Sequence, residues 1–203
     1  MMRRILLGAA AAVLLLQAPT ASAKCTYSLS KEGVKAEWTA FKFTSKAGVK
    51  GHFADTELTG PREAATLTAL AEGLSMQIVG KSVKTGNPGR DVTISTFFFS
   101  FMKDGGAISG KATSVDGDDA KGKVHIDVTM NGVTRDVPFD YTIAKDGAVQ
   151  ATASIDMLDF GLEGAHEQIH KACEQQHTGE DGISKTWTQV DLALSGRFDS
   201  NCD

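Results

Sequence analysis

Between Val124 and Ile143 apolar and polar residues alternate with a period of two. Val124, Ile126, Val128 and Met130 are separated by His125, Asp127 and Thr129, and beyond Asn131-Gly132 the apolar set resumes with Val133, Val137, Phe139, Tyr141 and Ile143. A period of two is that of a strand with one face covered, and Asn-Gly tolerates the positive φ of a two-residue hairpin turn. The pattern predicts a hairpin in which Met130 lies opposite Val133, Val128 opposite Arg135 and Ile126 opposite Val137, which turns Arg135 toward the apolar face. Val190, Leu192 and Leu194 alternate with Asp191 and Ala193 in the same way inside Trp187 to Phe198. Val34 to Phe43, Val49 to Leu58, Leu74 to Val83 and Ala148 to Ile155 are extended by composition, with Thr26 to Leu29 a further short strand. Pro61 to Leu70 is predicted to start a short helix and Asn87-Pro88-Gly89 to form a turn. Phe97-Phe98-Phe99 with Phe101 is too apolar a run for the surface.

Sheets with one apolar face must cover it, and curling closed covers the face and removes the edge strands together. Whether such an interior is filled or hollow stays open at this level. One segment, about 163–182, interrupts the strand pattern. Ala165 to Gln176 is predicted helical, with Ala165, Ile169, Ala172 and Cys173 as its apolar stripe. It contains His166-Glu167-Gln168-Ile169-His170, the H-E-x-x-H string of zinc peptidases, in which two histidines one turn apart bind metal and the Glu is general base. His177 would lie roughly 16 Å from His166 along a continuous helix and reach the same ion only if the chain reversed. The favoured reading is a polar helix over one opening of the sheet with solvated histidines; a hydrolase using His166, His170 and Glu167 is the alternative, and no metal or catalytic residue is assigned.

Met1-Met2-Arg3-Arg4, the apolar stretch Ile5 to Leu16 and Ala21-Ser22-Ala23 have the layout of a cleavable secretory leader, so cleavage is expected near Ala23-Lys24 with one domain, residues 24–203, exported to the periplasm or beyond. Lys24 before Cys25 does not suit lipid anchoring, and no stable membrane anchor is expected. Losing Arg3 and Arg4 makes the chain more acidic than its whole-sequence net charge of −4, which argues against nucleic acid as partner. Export permits a disulfide among the three cysteines. If Thr26 to Leu29 is a separate strand, the count of reversals pairs Cys25 with Cys173; with one strand fewer the pair is Cys25 with Cys202.

Three separated motifs carry a resemblance. Ser82-Val83-Lys84-Thr85-Gly86 with Arg90-Asp91 resembles the S-[IV]-x-T-G…R-D signature of the YceI-like proteins. Gly132-Val133-Thr134-Arg135 resembles their hairpin motif, and Ile155-Asp156 with Asp159-Phe160-Gly161-Leu162 their I-D-R-x-D-F-G-[LI] strand end; Val49-Lys50-Gly51-His52-Phe53 is similar to their early V-x-G-x-F. The chain departs from the pattern at Thr93, at Met157 and in the long insertion after Leu162. The resemblance spans about Trp38 to Phe198. It implies an eight-stranded antiparallel lipocalin-like barrel with an apolar interior for isoprenoid or other lipid-like chains, isoprenoid quinones included, and no cofactor beyond that ligand.

Trp38, Phe41, Phe97, Phe98, Phe99, Phe139 and Phe160 are the candidate cavity walls, with ordinary core packing as the competing role of each. An inward Arg135 needs an ionic partner, Asp91 or Asp159, or else meets a ligand's polar head. Arg90, Asp91, the Asn131-Gly132 turn and the helical insertion fall at one end of the sheet, which is the expected mouth, with the helix as its gate. The function expected is a binding protein, a carrier or a stress-related protein and not an enzyme, with a homodimer the one self-association considered. A structural protein with a filled core is the third reading.

Overall fold

A computed structural model describes residues 25–31 and 33–202; the expected leader, residues 1–23, lies outside them. Among the described residues twelve strands and three α-helices follow one another. They are β1 (Cys25–Leu29), β2 (Lys35–Lys42), β3 (Ala47–Phe53), β4 (Thr56–Thr59), β5 (Glu63–Ala64), α1 (Leu67–Glu72), β6 (Ser75–Val79), β7 (Val83–Lys84) and α2 (Pro88–Phe97), then β8 (Ala107–Gly117), β9 (Lys121–Met130), β10 (Val133–Ile143), β11 (Ala148–Asp156), α3 (Glu163–Ala172) and β12 (Thr186–Cys202).

The strands form one curled antiparallel sheet in the order β4-β6-β8-β9-β10-β11-β12-β2-β3-β7, with β1 on β12 and β5 on β1. β9 and β10 pair in the register that the alternation predicts, Met130 with Val133, Val128 with Arg135 and Ile126 with Val137. Asn131 and Gly132 supply the turn at φ 55° and 76°. The two ends of the strand order are chain neighbours of each other's partners. β4 follows β3 after Ala54-Asp55, β7 follows β6 after the tight turn Gly80–Ser82, and the backbone bonds Ala54 N to Ser82 O and Val79 N to Asp55 O, each 3.0 Å, join the bends. These bends account for two of the four segments beyond the eight strands expected, since each splits an otherwise continuous run; the separate β1 and the two-residue β5 are the other two.

Strand directions define two ends. β2, β7, β9 and β11 run toward one end, where α2, α3 and the Asn131-Gly132 turn gather and α2 packs on α3. The opposite end holds β1, β5, α1, and the turns between β8 and β9 and between β10 and β11. There Cys25 is bonded to Cys202 and Cys173 is free, so the expected Cys25–Cys173 pair is replaced. The reason lies in β12, seventeen residues long: its first part pairs with β2 and its last with β1, both antiparallel. β1 therefore continues the line of β2 instead of reversing, and the reversal count falls by one.

Local structure differs from expectation at three further points. The first helix begins at Leu67 and not at Pro61, because the Thr66 side chain accepts from Ala69 N and sets the N-terminus there. Asn87-Pro88-Gly89 is no free turn: Asn87 caps α2, accepting from Arg90 N at 3.1 Å, and Pro88 occupies the first turn, where its missing N–H costs nothing. In the phenylalanine run only Phe99 is buried, while Phe97 and Phe101 are 40% and 53% exposed. A helical period splits the run between faces where an extended one would have alternated it.

Candidate functional site

The interior of the curled sheet is hollow. A cavity of about 750 Å³ reaches from Lys42, Ile94, Ile169 and Thr186 at the α3 end to Leu67, Val149 and Phe198 at the disulfide end, within the range of roughly 300–1,000 Å³ that ligand sites occupy. Its wall is almost wholly apolar. Val124, Ile126, Val190, Leu192 and Leu194, all at inward positions of their strands, are only half-buried: the surface they keep faces the cavity, where a filled core would have covered it.

Of the expected wall residues, Trp38, Phe41, Phe98, Phe99 and Phe139 line the cavity. Trp38 explains the early glycine motif. A Cβ on Gly51 would lie 2.3 Å from the indole ring, so only glycine lets β3 pass behind it. Phe99 is braced by Phe53 and Phe98, with ring centroids 5.7 and 5.2 Å away in edge-to-face geometry. Phe97 and Phe160 do not line it. Phe97 turns outward at the end of α2, and Phe160 is 1% exposed, packed in the core beneath the cap formed by Met157–Phe160.

Arg135 is also outside the cavity. Its position in the register is on the inner face, but it stands near the rim, is exposed, and donates from Nη1 to the carbonyl of Thr134 at 3.0 Å. Neither expected acid pairs with it. Asp91 accepts from Thr85 N at 2.8 Å and from the Thr85 hydroxyl, while Arg90 donates to Thr85 Oγ1 and O at 2.9 Å each. The T-G…R-D motif thus ties the start of α2 to the end of β7. Asp159 is exposed. A long side chain next to a turn reaches water more cheaply than it buries its charge.

Asn131 is the residue that turn chemistry alone left understated. It is a buried polar side chain, 8% exposed. Its Oδ1 accepts from Lys103 N at 2.8 Å, and its Nδ2 donates to Phe160 O and Gly161 O at 3.2 and 2.6 Å. One amide therefore joins the hairpin turn to both irregular segments that roof the α3 end.

α3 lays Ile169, Ala172 and Cys173 against the cavity, as its stripe predicts, but its histidines are half-buried and each has a partner in place of water alone. The helix stops at Ala172, and a tight turn at Gln175–His177 brings the chain back. His166 Nε2 then lies 3.1 Å from Thr186 O, and His170 Nδ1 and His177 Nδ1 lie 3.0 and 2.7 Å from Thr186 Oγ1. Burial, helped by the charge of Lys42 and by His170, lowers the pKa of His177 to about 4, so its ring is neutral near pH 7. Burial likewise pushes the Cys173 thiol up. Glu167, the general base of the zinc-hydrolase alternative, is exposed and paired with Lys171. Among the described residues no three His, Cys, Asp or Glu side chains converge as metal ligands. The H-E-x-x-H string here fastens a helix to the start of β12. Nor is any helix among the described residues long and apolar enough to cross a membrane.

The fold is similar to that of several solved proteins. Burkholderia cenocepacia BcnA aligns over 84% of this chain and 99% of its own, with 15% identity and a TM-score of 0.60. A polyisoprenoid binding domain from Saccharophagus degradans, implicated in plant cell wall breakdown, aligns over 86% and 98% with 15% identity and a TM-score of 0.58. The Campylobacter jejuni YCEI protein aligns over 77% and 86% with 23% identity and a TM-score of 0.51. No curated protein matches the chain. The YceI-like domain family matches residues 27–195, which cover every strand of the curled sheet in whole or part, and the chain belongs to that family.

Proposed function

We propose that this chain is an exported binding protein that encloses one isoprenoid or comparable lipid-like chain and releases it unchanged. The observation that carries the reading is the apolar cavity running from one end of the sheet to the other. An elongated hydrocarbon gains on the order of 25 cal/mol for each Å² it removes from water, without any directional contact. The similar Saccharophagus degradans protein, a polyisoprenoid binding domain, supports the ligand class. The Cys25–Cys202 bond suits an oxidising compartment, in keeping with the leader-like segment of the sequence.

In this reading the sheet works as an eight-stranded barrel. β3 with β4 and β6 with β7 act as single bent strands, the bonds between residues 54–55 and 79–82 close the ring, and β1 extends β2. Eight strands leave an interior wide enough for side chains or one slim ligand. Transfer takes place at the α3 end, where α2 and α3 both contribute to the cavity wall.

The test is native mass spectrometry of the purified exported chain, followed by an organic extract. A stoichiometric adduct that dissolves into the extract as a prenyl lipid is the expected result. A chain that comes out empty, and takes up no prenyl lipid when offered one, would overturn the proposal.

A further inference from the structure

At the α3 end the cavity wall includes a few polar side chains: Lys42, Asn87, Arg90, Thr93, Gln176, His177 and Thr186. Most are already committed. Arg90 donates to Thr85, Thr93 Oγ1 to Gly89 O, and Lys42 Nζ to Gln176 O while standing 4.5 Å above the Phe43 ring. Asn87 and Gln176 are exposed and hydrated from outside. His177 is different: half-buried, it uses Nδ1 on Thr186 Oγ1, and its Nε2 has no protein partner among the described residues. A half-buried ring on the wall of an apolar cavity, with Nδ1 fixed and no protein partner for Nε2, can offer that nitrogen to whatever fills the cavity.

We propose that His177, oriented by Thr186, is the head-group contact of this cavity and that the ligand it selects ends in an uncharged oxygen group, a hydroxyl or a carbonyl, in preference to a phosphate. The proposal rests on the lipid-binding reading above.

Thr186 has one hydroxyl proton and two histidine Nδ1 atoms within reach, so it donates to one ring and accepts from the other. If it donates to His177, the Nε2 carries hydrogen and recognises a carbonyl oxygen; in the opposite arrangement the Nε2 accepts from a hydroxyl. Both states are neutral, in line with a ring that stays unprotonated until about pH 4. A phosphate would need cations free to meet it, and the two on the cavity wall at this end, Lys42 and Arg90, already hold protein partners. His166 and His170 hold Thr186 from α3, which gives the H-E-x-x-H helix a positioning role in this site.

The experiment titrates four probes into the intact chain, read by the fluorescence of Trp38 and Trp187, both on the cavity wall. The probes are squalene, hexaprenol, a hexaprenyl benzoquinone and hexaprenyl phosphate. The wild-type chain is expected to bind prenol or quinone about tenfold more tightly than squalene, as one net hydrogen bond supplies, and more tightly than the phosphate. His177→Leu should bring the headed probes to the level of squalene and leave squalene unchanged. Thr186→Val should lose a smaller factor by freeing the ring, and His177→Gln should recover part of the difference. Unchanged discrimination in His177→Leu, or a wild-type preference for the phosphate, would overturn the head-group site while leaving the cavity reading intact. Failure of squalene and all headed probes to bind the wild type would overturn the cavity reading itself and this site with it.

Discussion

The two ends of the sheet are closed by different kinds of interaction. At the disulfide end, β1 is hydrogen-bonded to β12 on one side and to β5 on the other, and Cys25–Cys202 adds a covalent link. At the α3 end no strand among the described residues crosses the opening. The roof there is α2, α3 and short turns, held by Asn131, Thr85, Thr186 and apolar side chains. Backbone ladders open cooperatively, whereas side-chain contacts break a few at a time. In the proposed function the ligand's path therefore lies at the end that opens without dismantling the sheet.

The largest separation between the two ends is expected on removing the disulfide. It joins positions 177 apart in sequence, a long loop whose closure is worth about 2–5 kcal/mol. Cys25→Ser with Cys202→Ser should lower urea-unfolding stability by that amount and leave ligand exchange unchanged wherever the chain is folded. Faster exchange at unchanged stability would place the exit at the wrong end.

Next comes Asn131→Ala. It leaves Lys103 N, Phe160 O and Gly161 O without their partner in a part-buried setting, a cost of about 1–3 kcal/mol. Ligand release should speed up more than global unfolding, as stopped-flow transfer to lipid vesicles against hydrogen exchange of the strands would show.

A smaller effect depends on pH. The pKa of His177 is about 4 in the folded chain and about 6.5 when unfolded, so between these values the unfolded chain binds the extra proton. Its contribution is complete above about pH 6.5 and is lost as pH falls toward 4. Half-burial reduces the linkage value to about 2 kcal/mol. His177→Gln should flatten this part of the profile, and parallel curves for the two chains would mean that the ring is solvated.

Smallest is the Cys173 thiol. Cys173→Ala should shift stability by no more than about 0.5 kcal/mol. With its pKa raised by burial the thiol should react slowly with iodoacetamide, and several-fold more slowly once a ligand fills the cavity it lines. Equal rates with and without ligand would mean that the bound chain stops short of the α3 end.

Most strands were legible because period-two alternation is a local signal, and the β9–β10 register followed from Asn131-Gly132 alone. Of the five aromatic residues that line the cavity, Trp38, Phe41 and Phe139 lie on strands, whereas Phe98 and Phe99 follow α2 and were legible only as an apolar run. Phe97 was misplaced because a helix, recognisable only through the Asn87 cap and Pro88, spans a run that reads as extended. Phe160 and Arg135 were misjudged for a different reason: inward direction was legible, but depth was not. An inward residue near the rim reaches water, and one beneath a capping turn is sealed in core.

His177 shows the same limit. Its distance from His166 along a continuous helix tells against a shared site until the break after Ala172 folds it back onto Thr186.

By itself the sequence determined the antiparallel class, the central hairpin and the apolar inner face, since alternation and turn residues act between near neighbours. Tertiary structure decided that β1 continues β2, and with it the disulfide. It also decided that the interior stays hollow and that three histidines converge on one threonine, because each depends on where distant segments come to rest, and spacing along a chain does not encode that distance.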